Sequence, residues 1–243
     1  MNTIIVTGAS RGIGKAMAER LAADDANHVV CISRTANQLQ QPARGGRLDH
    51  IAFDLSRTDA LDALMDEVFA LTDLSCTWRL IWVNNAAVLA PLGPIEECEA
   101  GEIAQHVEVN LLAPMLLTSL FIKRTRSLEV DKRLLNISSA SAKHLLPGMS
   151  CYSASKVALD VFTRCVALEQ EKETYPVKVA SVWPGMIDTD MQKEARTANF
   201  PSSGMFVAAQ SGGYLTTPEY TAERLVELLF SESFGSEAVV EKL

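Results

Sequence analysis

The chain of 243 residues lacks several things that would point to familiar classes of protein. Its five cysteines, Cys31, Cys76, Cys98, Cys151 and Cys165, are odd in number, scattered, and form no C-x-x-C pair. That excludes a disulfide framework and a thiolate metal centre, and fits reduced thiols in a cytosol. Basic residues are in deficit, 22 against 30 acidic, for a formal charge of −8. An acidic chain argues against nucleic acid or an anionic membrane as the main partner. The longest apolar run, 111–122, is broken by Pro114, Thr118 and Ser119 and reads as a buried helix rather than a membrane span. No leader pattern precedes the first apolar strand, so a cytoplasmic location is expected. Repeats, low-complexity tracts and long polar linkers are also missing, and one domain over 1–243 is expected.

What is present begins at the N-terminus. Residues 3–6 are an apolar strand that runs into Thr7-Gly8-Ala9-Ser10-Arg11-Gly12-Ile13-Gly14 and then into a helical pattern. Such a turn aims backbone N–H groups from a positive helix end, the arrangement that binds phosphate. Glycine suits it because a side chain would block a pyrophosphate or demand a strained φ. Residues 8–12 also spell G-x-S-x-G, the nucleophile elbow of α/β-hydrolases, but that elbow follows several strands and this one follows the first. A Walker A loop fails by count: five residues separate Gly8 from Gly14, and Ala16 stands where a magnesium-binding hydroxyl is needed.

Strand and helix signals then alternate. Apolar, β-branched runs at 3–6, 28–33, 48–53, 80–84, 133–138 and 177–183 are separated by helical patterns at 13–22, 60–71, 101–123 and 153–169, and a last helix covers 218–230. The alternation predicts an α/β fold: a doubly wound, Rossmann-type parallel sheet of six to seven strands with helices on both faces. The stretch 186–217 shows no clear period but carries Met191, Phe200, Met205, Phe206 and Tyr214 with glycines at 204, 212 and 213. An irregular substrate lid is expected there, the alternative being a surface excursion packed on itself.

Ligands of open parallel sheets lie beyond the carboxyl ends of the strands. The second strand ends at Ser33-Arg34, where an NAD-binding chain usually places an acid for the ribose 2′-hydroxyl. Arg34 there, with Arg11 in the loop, suits a 2′-phosphate, so NADP(H) is expected over NAD(H); the bland reading is two solvated charges. The third strand ends at Asp54-Leu55, where Asp54 either accepts from an adenine amine or caps the next helix. The fourth ends at Asn84-Asn85-Ala86-Ala87, small enough for a ring to approach. Ser139 follows the fifth. Tyr152 and Lys156, four apart on a helix, share a face. An ammonium beside a phenol lowers its pKa and makes it a usable proton donor, although Y-x-x-x-K is also frequent by chance.

The ordered set resembles the short-chain dehydrogenase/reductase family: Thr7-Gly8-x-x-x-Gly12-x-Gly14, Asp54, Asn84-Asn85-Ala86, Asn110, Ser139, Tyr152-x-x-x-Lys156, Pro184-Gly185 and Thr189, nearly the whole chain in order. The resemblance implies that Tyr152 protonates the substrate oxygen, Ser139 orients it, Lys156 tunes Tyr152 and binds the nicotinamide ribose, and Asn110 holds a water leading from Lys156 to solvent. Asn110 as a mere kinking or capping residue is the alternative, given Pro114. The resemblance further implies that Pro184, Gly185, Ile187 and Thr189 grip the nicotinamide carboxamide, and that dimers or tetramers form through the helices near Asn110 and after Tyr152. Ala87 departs from the family's usual glycine. Residues 184–192 and the later Phe206, Gly213-Tyr214-Leu215 and Pro218-Glu219 are similar to the sepiapterin and benzil reductase branch. The expectation is an NADPH-dependent reductase of a small apolar ketone or α-dicarbonyl. The alternatives are a reductase of 3-oxoacyl or steroid-like substrates, and a non-catalytic NADP(H) sensor.

Overall fold

The computed structural model describes residues 1–35 and 45–243. Its strands are β1 (Asn2–Thr7), β2 (Asn27–Ser33), β3 (Arg47–Ala52), β4 (Arg79–Asn84), β5 (Asp131–Ile137), β6 (Val177–Val182) and β7 (Val239–Val240). They form one parallel sheet in the order β3-β2-β1-β4-β5-β6-β7. The six strands expected from pattern are all present. The seventh has two residues, too few to show alternation.

The helices are α1 (Gly12–Ala22), α2 (Leu61–Leu71), α3 (Ala100–Val107), α4 (Ala113–Thr125), α5 (Ser150–Gln170), α6 (Asp190–Thr197), α7 (Ser203–Ser211) and α8 (Pro218–Phe230). The strand period of two divides each strand between two cores. In β1, Ile4 and Val6 pack with Met17 and Leu21 of α1 and with Leu225 and Leu229 of α8. Ile5 faces the other way, among Leu64 and Met65 of α2 and Leu117 and Phe121 of α4. Both faces are therefore covered, and every residue of β1 and β2 is buried.

The helix expected over 101–123 is a longer rod interrupted by a π-helical turn at Glu108–Leu112. Pro114 supplies the cause. It has no N–H to offer the Asn110 carbonyl, and its ring clashes with that carbonyl in a regular α-turn, so the backbone widens. By length and composition this rod is long enough to cross a membrane. Leu117 and Phe121 are nevertheless fully buried in the core beneath the sheet, as expected of a buried helix.

The stretch 186–217 is not irregular, and that expectation is corrected. It contains α6 and α7. Both are short, and only Gln192 and Ala195 of α6 and Ala209 of α7 are buried, so no apolar stripe marks them. The excursion is closed at its neck. Ile187 bridges to Thr216, Asp188 N–H donates to the Thr216 carbonyl at 2.9 Å, and Thr216 N–H donates to the Met186 carbonyl at 2.9 Å. Thr189 caps α6 by accepting from the Gln192 N–H.

Candidate active site

The strand order reverses direction at β1, leaving a crevice between the carboxyl ends of β1 and β4. Side chains stitch its floor. Thr7 Oγ1 accepts from the N–H groups of Asn85 (3.0 Å) and Ala86 (3.1 Å). Asn85 Nδ2 donates to the carbonyls of Thr7 (2.9 Å) and Gly8 (3.2 Å). Gly8 has φ +68°, and a Cβ there would lie 2.7 Å from Ala86 Cα. Gly14 has a different reason to be glycine: its Cβ would meet the Asn85 amide and the Gly8 carbonyl at 2.4 Å each. It permits close packing of α1 and does not itself line the cleft. No side chain caps α1, and its first turn carries no acid. The helix thus presents backbone N–H groups to the crevice, an environment suited to an anion.

The cleft encloses about 510 Å³. Of the residues singled out from sequence, Gly8, Arg11, Gly12, Ile13, Ser33, Arg34, Asp54, Leu55, Asn85, Ala86, Ser139, Tyr152, Lys156, Pro184, Gly185, Ile187 and Thr189 line it. Ser10, Gly14 and Asn110 do not. Arg34 is exposed at the rim. Arg11 reaches across to Asp190 of α6 in an exposed ion pair of 3.5 Å, a contact of small energetic worth. Asp54 closes its own turn, its Oδ1 accepting from Ser56 N–H (3.0 Å) and Ser56 Oγ (2.9 Å). The bond from the Ser56 N–H, helped by Arg34 and Arg57, holds this carboxyl below the usual carboxylate range. Asp54 therefore caps that turn rather than α2. Ala87 also lines the cleft. Among the described residues no non-glycine has a positive φ, so alanine there is unstrained.

Ser139 leaves β5 in extended conformation, and its Oγ accepts from Ser141 N–H at 3.1 Å. The same side chain stands beside Tyr152 and acts to lower its pKa. Lys156 Nζ donates to the Ile137 carbonyl at 2.8 Å and lies 5.5 Å from the centre of the Tyr152 ring. Serine, phenol and ammonium thus converge at one end of the cleft, the last two buried. Burial pushes the Tyr152 phenol above its ordinary value, opposed by the neighbouring Ser139 side chain. Burial also brings the Lys156 ammonium down to about 8, opposed by Asp160. The sequence reading has the ammonium lower the tyrosine; in the cleft, desolvation of the phenol dominates, and its net shift is upward. The phenol stays protonated at neutral pH, the state a proton donor requires.

Asn110 lies in the π-turn and is turned to the β4 end. Its Oδ1 accepts from Val88 N–H and its Nδ2 donates to the Val88 carbonyl, both at 2.8 Å. The amide is thus committed to holding the strand end in place. His106, one turn earlier, escaped the sequence reading. It is fully buried, Nδ1 lies 2.7 Å from the Ala90 carbonyl, and Nε2 accepts from Asn110 Nδ2 at 3.0 Å. Its ring meets the Tyr152 ring edge-on at 6.2 Å. Burial lowers its pKa, which keeps the ring neutral. The available signal was its spacing of four from Asn110.

Beyond Ser139 and Tyr152 the cleft becomes apolar, lined by Leu89, Leu146, Met149, Met191, Met205 and Phe206. Gln192 joins α6 to α7: its Nε2 donates to the Phe206 carbonyl at 3.0 Å, and its Oε1 accepts from Arg196.

A parallel sheet with this crevice and this trio of side chains defines a Rossmann-type oxidoreductase. The chain belongs to the short-chain dehydrogenase family, whose profile matches residues 2–199. It is 35% identical to a benzil reductase ((S)-benzoin forming) of Bacillus cereus, over 99% of this chain and 98% of that protein. It is 30% identical to the sepiapterin reductase of Meriones unguiculatus, over 98% and 94% respectively. These likenesses support the benzil and sepiapterin reductase branch. The crystal structure of the KRED1-Pglu enzyme superposes with a TM-score of 0.84 at 28% identity, covering 99% of this chain and all of that one. Neighbours of this fold have been solved with NADH and with NADP, so the fold by itself does not select the nucleotide.

Proposed function

We propose that the protein is an NADPH-dependent carbonyl reductase acting on a small apolar ketone or α-dicarbonyl. One observation carries the reading: the Ser139–Tyr152–Lys156 trio opens directly onto an apolar lobe built from methionine, leucine and phenylalanine. The crevice fits a dinucleotide. Gly8 leaves no room for a side chain beside Ala86, the start of α1 is uncapped, and Arg34 stands at the β2 end where a 2′-phosphate would lie. Lys156 would hold the nicotinamide ribose, and Pro184, Gly185, Ile187 and Thr189 the carboxamide side. A bound reduced nicotinamide supplies hydride to the carbonyl carbon.

The chain's own groups handle the oxygen. Ser139 Oγ donates a hydrogen bond to it and fixes its direction. Tyr152 Oη gives up its proton as negative charge develops there, and the resulting phenolate is stabilised by the Lys156 ammonium. Asn110 and His106 keep the neighbouring backbone and the tyrosine ring in register. Water is excluded by Met205 and Phe206. We place 186–217 as the substrate lid of a single catalytic domain, and the protein in the cytoplasm. Val107, Met115, Val157, Val161 and Leu168 are exposed along α3, α4 and α5, and we assign this face to a homodimer or homotetramer.

The test follows NADPH absorbance with benzil, a 3-oxoacyl thioester and a steroid ketone. Benzil is expected to be reduced fastest. Fastest turnover of the thioester would move the substrate to the acyl class, and binding of NADPH with no turnover on any ketone would favour a sensor.

A further inference from the structure

We propose that Asp160 is a positioning residue that keeps Lys156 charged in the buried end of the cleft and ties that charge to the strand end leading into Pro184 and Gly185. The inference rests on reading Lys156 as the cofactor-holding ammonium, and it deepens that reading. Residues 152, 156 and 160 recur at four-residue spacing on α5 and so share one face. All three are buried, Lys156 and Asp160 to within a few per cent of complete enclosure. The Asp160 carboxylate is fully engaged. Oδ1 accepts from Ser181 Oγ at 2.7 Å and Oδ2 from Trp183 Nε1 at 2.9 Å. The indole can only donate, so Oδ2 meets it as an acceptor. Trp183 directly precedes Pro184, so one carboxylate links the Lys156 helix to the end of β6.

A buried charge is costly unless something compensates it. Lys156 has one neutral hydrogen-bond partner, the Ile137 carbonyl. The groups around it are few. On α5 they are Tyr152 and Asp160. From α3 comes His106, kept neutral by burial. From β5 comes the Ile137 carbonyl, and just past its end the Ser138 hydroxyl donates to the Lys156 backbone carbonyl. Asp160 is the one negative charge among them. The sign follows directly: a carboxylate one helical turn away, roughly 6 Å between Cβ atoms, favours the protonated amine and opposes desolvation. Without it, the amine would shed its proton at lower pH, closer to neutrality.

The experiment reads the lysine directly in full-length protein labelled with [13C]lysine, with the Lys156 resonance assigned by Lys156→Met. A wild-type midpoint of about 8 is expected. Asp160→Asn should make the ammonium about tenfold more acidic, one pH unit lower, and should weaken NADPH binding at pH 8 several-fold more than at pH 6. Asp160→Glu should restore most of the midpoint. Trp183→Phe removes one bond yet keeps the charge and should leave the midpoint in place. An unmoved midpoint in Asp160→Asn, or an equal fall in Trp183→Phe, overturns the proposal in favour of a purely structural carboxylate. Should Asp160→Asn not fold, the wild-type Asp160 carboxyl carbon still decides: its shift must step at the Lys156 midpoint, and a flat trace overturns the coupling. The titration needs no substrate. Absence of ketone turnover alongside the expected titration would therefore refute the reductase reading alone.

Discussion

The two ends of the cleft are built on different principles. The nucleotide end is backbone: Gly8 in a left-handed conformation, the start of α1, and a floor stitched by Thr7 and Asn85. An added methyl group finds no room at Gly8 or Gly14. The substrate end is side chain: Met149, Met191, Met205, Leu146 and Phe206, carried largely on two short helices. Thioether chains are soft and refill space after substitution, whereas backbone contacts near 3 Å do not. The comparison teaches where selectivity should be strict and where it should be broad. The seat of a dinucleotide would be set by fixed geometry, with Arg34 at the rim left to discriminate between nucleotides, and substrate choice would follow a deformable wall.

The sharpest break targets the boundary between the ends. Tyr152→Phe should lower ketone turnover by roughly 10²- to 10⁴-fold and leave NADPH affinity within about twofold, read by single-turnover kinetics and fluorescence titration. Next comes the nucleotide end. Arg34→Asp should weaken NADPH by about tenfold to a hundredfold, the range of a lost charge-assisted contact, with little change for NADH. Equal losses would dissolve the phosphate assignment. Gly14→Ala should destabilise the fold by about 1–3 kcal/mol in urea unfolding, as overpacking does. Gly14→Ala tests packing without a backbone penalty, because its φ is ordinary while its Cβ would strike Asn85 and the Gly8 carbonyl. The smallest effect belongs to the soft wall: Met205→Leu should change kcat/KM for benzil by less than about threefold, as volume-conserving swaps do.

The parts of this architecture legible in the sequence are those that local chemistry dictates. β1 and β2 are continuous apolar runs because both of their faces are covered, and the glycine turn and the 152–156 spacing are written within a few residues of one another. Asn85 was legible as an amide at a strand end. Its partner Thr7 was not, because that bond joins residues 78 apart in the chain. His106 and Asp160 were missed for the same reason: each looks like an ordinary polar residue on a helix until the fold buries it. β7 was too short to show a pattern. Helices α6 and α7 were hidden because few of their side chains are buried, leaving no stripe. The expectation for Tyr152 considered the ammonium alone; burial, which acts on phenol and ammonium in opposite directions, is legible only once the fold is known.

The clasp formed by Met186, Ile187, Asp188 and Thr216 has a consequence for how such a protein diversifies. It brings the two stems of the excursion together at one point beside β6. The chain hung between them is free to vary in length, since lengthening a closed loop adds little entropy and no strand of the sheet passes through it. Insertions or deletions between 203 and 215, beyond the Ala195 and Phe200 that pack with Met149 and Tyr152, are therefore expected to retune which molecule is accepted while the catalytic frame folds as before.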